Sequence, residues 1–442
     1  MEEKLYCYYT NDLHSDFTYW PQVAHYLKTA KQGKDACWIA DIGDHVDRVH
    51  PIAEAFMGKA NVELMNEVGY HVATIGNNEG ITLSHDDLHH LYDDAQFQVV
   101  CANLFSKRGH SPEWLQNMFR VESKGGVKIG FIGLTAPFNA FYQLLDWYVS
   151  DPLETLQELL REVKETCDVI VLLSHLGINE DREIARRFPE IDAIIGGHTH
   201  HLLRTGEYVN DTIITAAGKH CTYVGEVILT WDHKQKKLVD KEAYTTNITH
   251  IEKDRQTMER LNKWKFRADR QLGENLLYTD KPIEVDWFEE TEVITRLTET
   301  LHEWTNADCA LLNAGILLDS FPKGNITYRD VHRICPHPIN PCTVTLNGDE
   351  LMEVIRVTFT KELTDLPLKG FGFRGKVIGR FIYSGISVVT NINEHGDEKV
   401  MNVTMNGNPL KKEQLYTLAT IDTFTFGRLL PEVAKSTTKK YY

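Results

Sequence analysis

Seven side chains able to hold cations are spaced along the first half of the sequence. Asp12 and His14 stand as D-x-H, and Asp44 ends Asp41-Ile42-Gly43-Asp44. Asn77 follows Gly76, His175 lies in Leu173-Ser174-His175-Leu176-Gly177, and His198 and His200 form Gly197-His198-Thr199-His200. Imidazole suits zinc, iron, nickel or copper, while carboxylate and amide oxygens admit manganese and magnesium. Seven donors are too many for one ion, and a carboxylate can bridge two. The expected cofactors are therefore two divalent metal ions, drawn from manganese, zinc, iron or magnesium. Such a pair activates water as hydroxide and clamps a phosphoryl group during in-line displacement. Glycines beside the donors let the backbone turn sharply and approach the ions.

The elements that must position these residues alternate along the chain. Strand-like runs occur at 5–9, 36–40, 71–75, 98–101, 127–132, 168–173 and 193–195, with helical stretches at 20–31, 53–68, 153–164 and 182–187. Runs at 212–217 and 226–230 read as a closing pair of strands. Alternation of this kind predicts sheets sandwiched by helices. Each of the seven donors then falls at the carboxyl end of a strand, where open α/β sheets bind ligands. A charged helical stretch, 251–275, separates a first domain, 1–250, from a second, 276–442, which opens with a helix at 289–305.

Composition narrows the function classes. Among 442 residues the net charge is −16, a field that repels nucleic acid and anionic membrane alike. The expected partner is a small phosphorylated substrate, with metals or arginines reversing the sign locally. No leader peptide, no membrane-spanning run and no disulfide framework is legible, and eight scattered cysteines point to a reducing, cytoplasmic setting. Oligomeric state is not legible.

The order D-x-H, G-D, G-N, H, G-H-x-H resembles the calcineurin-like metallophosphoesterase superfamily. Thr10-Asn11-Asp12-Leu13-His14, Ala102-Asn103-Leu104 and Gly133-Leu134-Thr135 resemble its 5′-nucleotidase branch, and more narrowly a cytosolic group within it. Asn313-Ala314-Gly315, Gly379-Arg380-Phe381-Ile382-Tyr383-Ser384-Gly385 and Tyr416-Thr417-Leu418-Ala419-Thr420-Ile421-Asp422 resemble the C-terminal domain of the same enzymes. The resemblance implies a four-layer α/β sandwich, two mixed sheets flanked by helices, followed by an α+β substrate-binding domain. It implies one ion on Asp12, His14, Asp44 and His200, and another on Asp44, Asn77, His175 and His198, with Asp44 shared. It also implies two aromatic rings that stack on a nucleobase, Phe381 and either Phe424 or Phe426, with Asn313 and Gly315 in the substrate-binding motif.

Two departures from the family pattern bear on chemistry. The family's G-N-H-[ED] reads Gly76-Asn77-Asn78-Glu79 here. Asn78 and Glu79 are thus the candidate catalytic pair, yet an amide cannot deliver a proton to a leaving oxygen. Loss of a positioned acid costs roughly 10²–10⁴ in rate, less where the leaving group is already a weak base. Pyrophosphate-linked substrates are therefore expected over monophosphates, unless His45 or His85 replaces the acid. The second departure is Leu318, which stands where the family has a phosphate-binding arginine; Arg374 and Arg380 are the candidate substitutes. The expected function is hydrolysis of nucleotides or related phosphate esters and anhydrides. The alternative is a nucleotide or metal sensor that lost its acid. Cys335-Pro336-His337-Pro338-Ile339-Asn340-Pro341-Cys342 matches no usual zinc spacing and reads as a rigid loop. No Walker loop and no G-x-S-x-G elbow is present.

Overall fold

The computed structural model describes residues 2–368, 370, 372–394, 398–427, 429–436 and 439–441. They fall into two compact units, Met1–Ala268 and Asp269–Tyr442, with the helix Arg255–Leu272 running across the join.

Two sheets build the first unit. The larger has seven strands in the order Lys237–Asn247, Tyr223–Asp232, Glu2–Thr10, Cys37–Asp41, Val72–Ala73, Gln98–Val100 and Leu115–Gln116. The second has six, in the order Glu207–Val209, Thr212–Thr215, Ala193–Gly196, Val169–His175, Lys128–Thr135 and Met118–Glu122. The inner strands of both run parallel; the Lys237–Asn247 side of the larger sheet and both edges of the smaller one are antiparallel, while the edge strand Leu115–Gln116 is parallel, so both sheets are mixed. The parallel strands are near-continuous apolar runs, as burial on both faces demands. Leu5, Cys7 and Tyr9 of one sheet meet Val169, Val171 and Leu173 of the other in a common core. The alternate residues Ile170 and Leu172 face Leu156, Leu160 and Val163 of the helix Pro152–Thr166. That helix starts at Asp151, whose carboxylate accepts from the amides of Leu153 and Glu154, with Pro152 in its first turn. Tyr26, on the helix Trp20–Ala30, packs on Tyr8 at the other outer face. Helix, sheet, sheet and helix give the four layers expected.

The helix expected at 53–68 is two helices, Pro51–Phe56 and Lys59–Val68. Met57 and Gly58 between them take φ of 47° and 82°, which end one helix and re-aim the next. The re-aimed helix carries Asn61 beneath the loops of the candidate cation donors. The strand expected at 71–75 shrinks to Val72–Ala73, because the chain then leaves the ladder to place Asn77.

The second unit is α+β. Its five-stranded sheet runs Phe381–Ser384, Cys309–Asn313, Leu415–Ile421, Pro341–Asn347 and Lys439–Tyr441. The helices Glu292–Thr305 and Gly348–Val357 bury Ile294, Leu301, Leu351 and Ile355 in the same core as its strands. Among the described residues, no helix is long and apolar enough to cross a membrane.

Candidate metal centre

The donors sit on loops at strand ends, and the backbone there is strained. Asp12, His14, Asp44, His198 and His200 all take positive φ, between 50° and 68°, a region L-residues rarely adopt. Two loops hold one another in register: Asp12 N donates to Gly43 O at 3.1 Å, His14 N to Asp44 O at 2.8 Å and Ser15 N to His45 O at 3.0 Å. The loop at Gly76 packs so tightly that an added Cβ would lie 2.1 Å from Asp44 Oδ1. Glu79, fully buried, accepts from the amides of Asp44 at 3.0 Å, Val46 at 2.7 Å and Gly76 at 3.0 Å. It ties the Asp44 loop to the Asn77 loop through backbone amides.

These loops bring all seven candidate donors into one cluster. Asp12, His14 and His200 form one group whose ligating atoms are mutually close, and Asp12, Asp44 and His175 form a second. His14 Nε2 lies 3.1 Å from His200 Nε2 and 3.8 Å from Asp44 Oδ2. His175 Nε2 lies 3.3 Å from Asp44 Oδ1. His198 Nδ1 is 2.7 Å from Asn77 Oδ1, and its ring packs 5.4 Å from that of His175. Asp12 thus belongs to both groups, beside Asp44.

The electrostatics fit a cation. His175 Nδ1 donates to Ile42 O at 2.7 Å, which turns Nε2 toward Asp44, yet Nε2 is buried with no hydrogen-bond partner. A hydrogen bond from the far ring nitrogen to a backbone carbonyl fixes the tautomer of a metal-ligating histidine. Burial alone would push His175 down, but the Asp44 and Asp12 carboxylates lift it to about 10. Burial alone would raise Asp44, yet His175 and His14 hold it below the usual carboxylate range. Carboxylates that draw a proton on to imidazole in this way would hold a divalent cation in its place. Burial and Asp44 push Glu79 up to about 7, against the amides that favour its ionised form.

Several contributors were missed in the sequence. Asn11 donates to Asp12 Oδ2 at 2.7 Å and to Gly218 O at 2.7 Å, and the His198 amide also reaches Asp12, so its carboxylate is aimed from two sides. Asp47 Oδ2 stands 3.5 Å from His14 Nδ1. The buried Asn61 amide lies 3.0 Å from Ser15 Oγ and 2.9 Å from His45 O, under both loops. The His220 ring sits 5.9 Å from His14, and the Phe138 ring 5.5 Å from His198. Only Asn11 carried a signal, as part of T-N-D-x-H; the others are neighbours through folding alone.

Asn78 lies in the cluster. Its amide N donates to Asp44 Oδ1 at 2.7 Å and its side-chain nitrogen stands 2.9 Å from His14 Nδ1. The two rival histidines make other contacts. His45 is buried, packed edge-on against Trp20 and pushed down by burial to about 3. His85 pairs with Asp86 and Ser106 and stacks on Trp147, none of them in the cluster.

The candidate substrate residues lie in the second unit. Asn313 is buried and donates to Ile378 O at 2.7 Å, and Gly315 packs so closely that an added Cβ would lie 2.0 Å from Val377 O. The Arg374 amide donates to His337 Nδ1 at 2.8 Å, while His337 Nε2 donates to Ile316 O at 2.7 Å. Both nitrogens of His337 are thus engaged, and the proline-rich loop links the Asn313–Ile316 turn to Arg374. Arg380 stands 3.6 Å from Glu398 and lines, with Phe381, a cavity of about 730 Å³. Phe381 and Phe424 are core rings 5.5 Å apart and tilted by 46°, without an open slot between them, while Phe426 is half-buried.

Residues 8–202 match the calcineurin-like phosphoesterase family and residues 273–428 the 5′-nucleotidase C-terminal domain. An uncharacterized metallophosphoesterase of Bacillus subtilis, YunD, is 41% identical over 100% of this chain and 97% of its own length. A 5′-nucleotidase of Vibrio cholerae is 24% identical over 80% of this chain and 70% of its own. A solved putative 5′-nucleotidase of Staphylococcus aureus superposes with a TM-score of 0.68 at 19% identity, covering 98% of this chain and 93% of that one.

Proposed function

Because the chain belongs to the calcineurin-like metallophosphoesterases and carries a 5′-nucleotidase C-terminal domain, it is a metal-dependent phosphoric ester hydrolase, and we propose that its substrates are nucleotides. Two divalent ions would be held, one by Asp12, His14, Asp44 and His200 and one by Asp44, Asn77, His175 and His198. The observation that carries this reading is the buried His175 Nε2, outside any well-formed hydrogen bond and 3.3 Å from Asp44 Oδ1, within a cluster of seven candidate donors. Divalent ions in such a centre supply activated water and neutralise phosphoryl charge.

The chain's own residues do the rest. Ile42 O fixes His175, Asn11 aims Asp12, and Glu79 holds the Asp44 and Asn77 loops together. Asn78 contacts His14 and has no proton to give, so the leaving oxygen departs unassisted by this side chain. That favours anhydrides and other activated phosphates, whose leaving groups are weak bases. The C-terminal motifs, with Arg374, Arg380, Phe381 and one of Phe424 or Phe426, hold the nucleoside. Opening the packed Phe381–Phe424 pair would admit a base. All eight cysteines are free, which is compatible with the reducing, cytoplasmic setting proposed for the chain.

The test is phosphate release by metal-reconstituted protein from bis-p-nitrophenyl phosphate, AMP, ADP and a nucleoside-diphosphate sugar. ADP or the diphosphate sugar is expected to turn over faster than AMP. Equal or faster turnover of AMP overturns the anhydride preference, and inactivity toward all nucleotides with two bound metals overturns the nucleotide reading.

A further inference from the structure

The metal centre has one wall that no motif accounts for. After the strand Lys128–Thr135 the chain turns through Ala136, Pro137 and Phe138 into the short helix Asn139–Tyr142. This segment is anchored from below. Asn139 exchanges two hydrogen bonds with the Val149 backbone, at 2.6 and 2.9 Å. Tyr142 is fully buried, its hydroxyl 3.3 Å from Thr135 Oγ1, and it packs so closely on Gly80 that an added Cβ there would lie 2.2 Å from that hydroxyl. Phe138 N donates to Ala136 O at 2.9 Å, which completes a tight turn.

With Asn139 and Tyr142 fixed, Phe138 points outward. Its ring is 37% exposed and stands 5.5 Å from the His198 ring at 55°. What sets this ring apart from other exposed apolar side chains is its place, held from below and beside the donor cluster. Ligand sites combine apolar walls with a few placed polar groups, and this rim supplies the apolar half next to the polar one.

We propose that Phe138 is a substrate-contacting residue of the catalytic unit, a platform on which a planar ring of the substrate stacks while its phosphoryl group occupies the metal centre. The ligand class is a phosphate ester or anhydride whose ring is joined to phosphorus directly, as in an aryl phosphate, or through a pentose, as in a nucleotide. The inference rests on the metal-centre reading above. It assigns selectivity for ring-bearing substrates to the first unit itself, independently of the aromatic pair in the second. Stacking on a phenyl face is tolerant of ring identity, so the platform selects for a ring rather than for one base.

The experiment compares the full-length wild type with F138A, F138L and F138W, loaded with manganese and checked for metal content. KM and kcat are measured for p-nitrophenyl phosphate, AMP, ADP and inorganic pyrophosphate, and binding of the same ligands is measured by calorimetry. F138A and F138L are expected to raise KM for the ring-bearing substrates about 10-fold, with pyrophosphate unchanged within twofold and F138W close to wild type. An equal loss on pyrophosphate, or no change on any substrate, overturns the proposal. If the wild type turns over nothing, the functional reading fails by itself, and the calorimetry then decides the platform. Ring-selective weakening of binding in F138A supports it; equal binding, or no wild-type binding of AMP and p-nitrophenyl phosphate, overturns it.

Discussion

Replacing Glu79 with glutamine separates a residue that builds the metal centre from one that acts on substrate. Glu79 Oε2 accepts from the Asp44 and Gly76 amides at 3.0 Å each, and Oε1 from the Val46 amide at 2.7 Å. Glutamine offers one acceptor oxygen. Placed at Oε2 it keeps two bonds, now neutral, and its NH₂ group faces the Val46 N–H donor to donor. One charge-assisted bond lost is worth about 1.5–3 kcal/mol, and weakening the other two adds roughly 1 kcal/mol. The total, ~3 kcal/mol, lowers the melting midpoint of the first unit by roughly 6–12 °C. Both loops carry candidate metal donors, so manganese affinity is expected to fall about 10–100-fold, with activity largely recovered at saturating metal. Calorimetric melting and a manganese titration of wild type and E79Q read these quantities. An unchanged midpoint and metal affinity, with activity lost at saturating manganese, would refute the clamp and place Glu79 on the substrate.

Asp44→Asn removes the carboxylate that touches both histidine sides of the cluster, and is expected to reduce bound metal below two per chain and turnover by about 10³-fold or more, read by metal analysis and phosphate release. Asn78→His is expected to raise AMP turnover relative to ADP by at least about 10-fold, within the range a positioned acid contributes. Chelation is expected to lower the melting midpoint of the first unit and leave the second unmoved, with manganese restoring it. Burial lifts Asp422 to about 6 despite its bonds from Asn340. The folded chain keeps that proton where the unfolded chain has released it, so stability of the second unit falls as pH rises from about 4 to 6. The loss is ~3 kcal/mol and persists above pH 6; melting curves across that range are expected to show the slope, and Asp422→Asn to flatten it.

The layered architecture was legible because parallel strands buried on both faces leave near-continuous apolar runs between polar helices. That seven candidate donors would come together was legible because few other reasons put Asp, Asn and His at the ends of so many strands. What folding adds was not legible. Nothing in the sequence marks Asn61, Asp47, His220 or Phe138, each of which meets the centre through a different element. Glu79 read as a catalytic partner because the motif places it beside Asn78, yet its oxygens meet backbone amides. Asp12 joins both donor groups because the loops at Gly43 and Gly197 crowd it, and one-dimensional spacing does not encode that. Phe381 is matched by motif and its partner is left between Phe424 and Phe426; that Phe424 packs on Phe381 depends on where two distant strand ends converge.

The strand Glu2–Thr10 lies between Cys37–Asp41 on one side and Tyr223–Asp232 on the other. Its second neighbour is made more than two hundred residues later. During synthesis the amino-terminal strand therefore waits with one edge unpaired until nearly the whole first unit has left the ribosome. Contacts this distant in sequence make for slow closure and a prolonged aggregation-prone stage. Asp12 and His14, just past the end of that strand, cannot meet His198 and His200 until those residues too have been made, so a metal that needs both pairs of donors would be bound late in the birth of the protein.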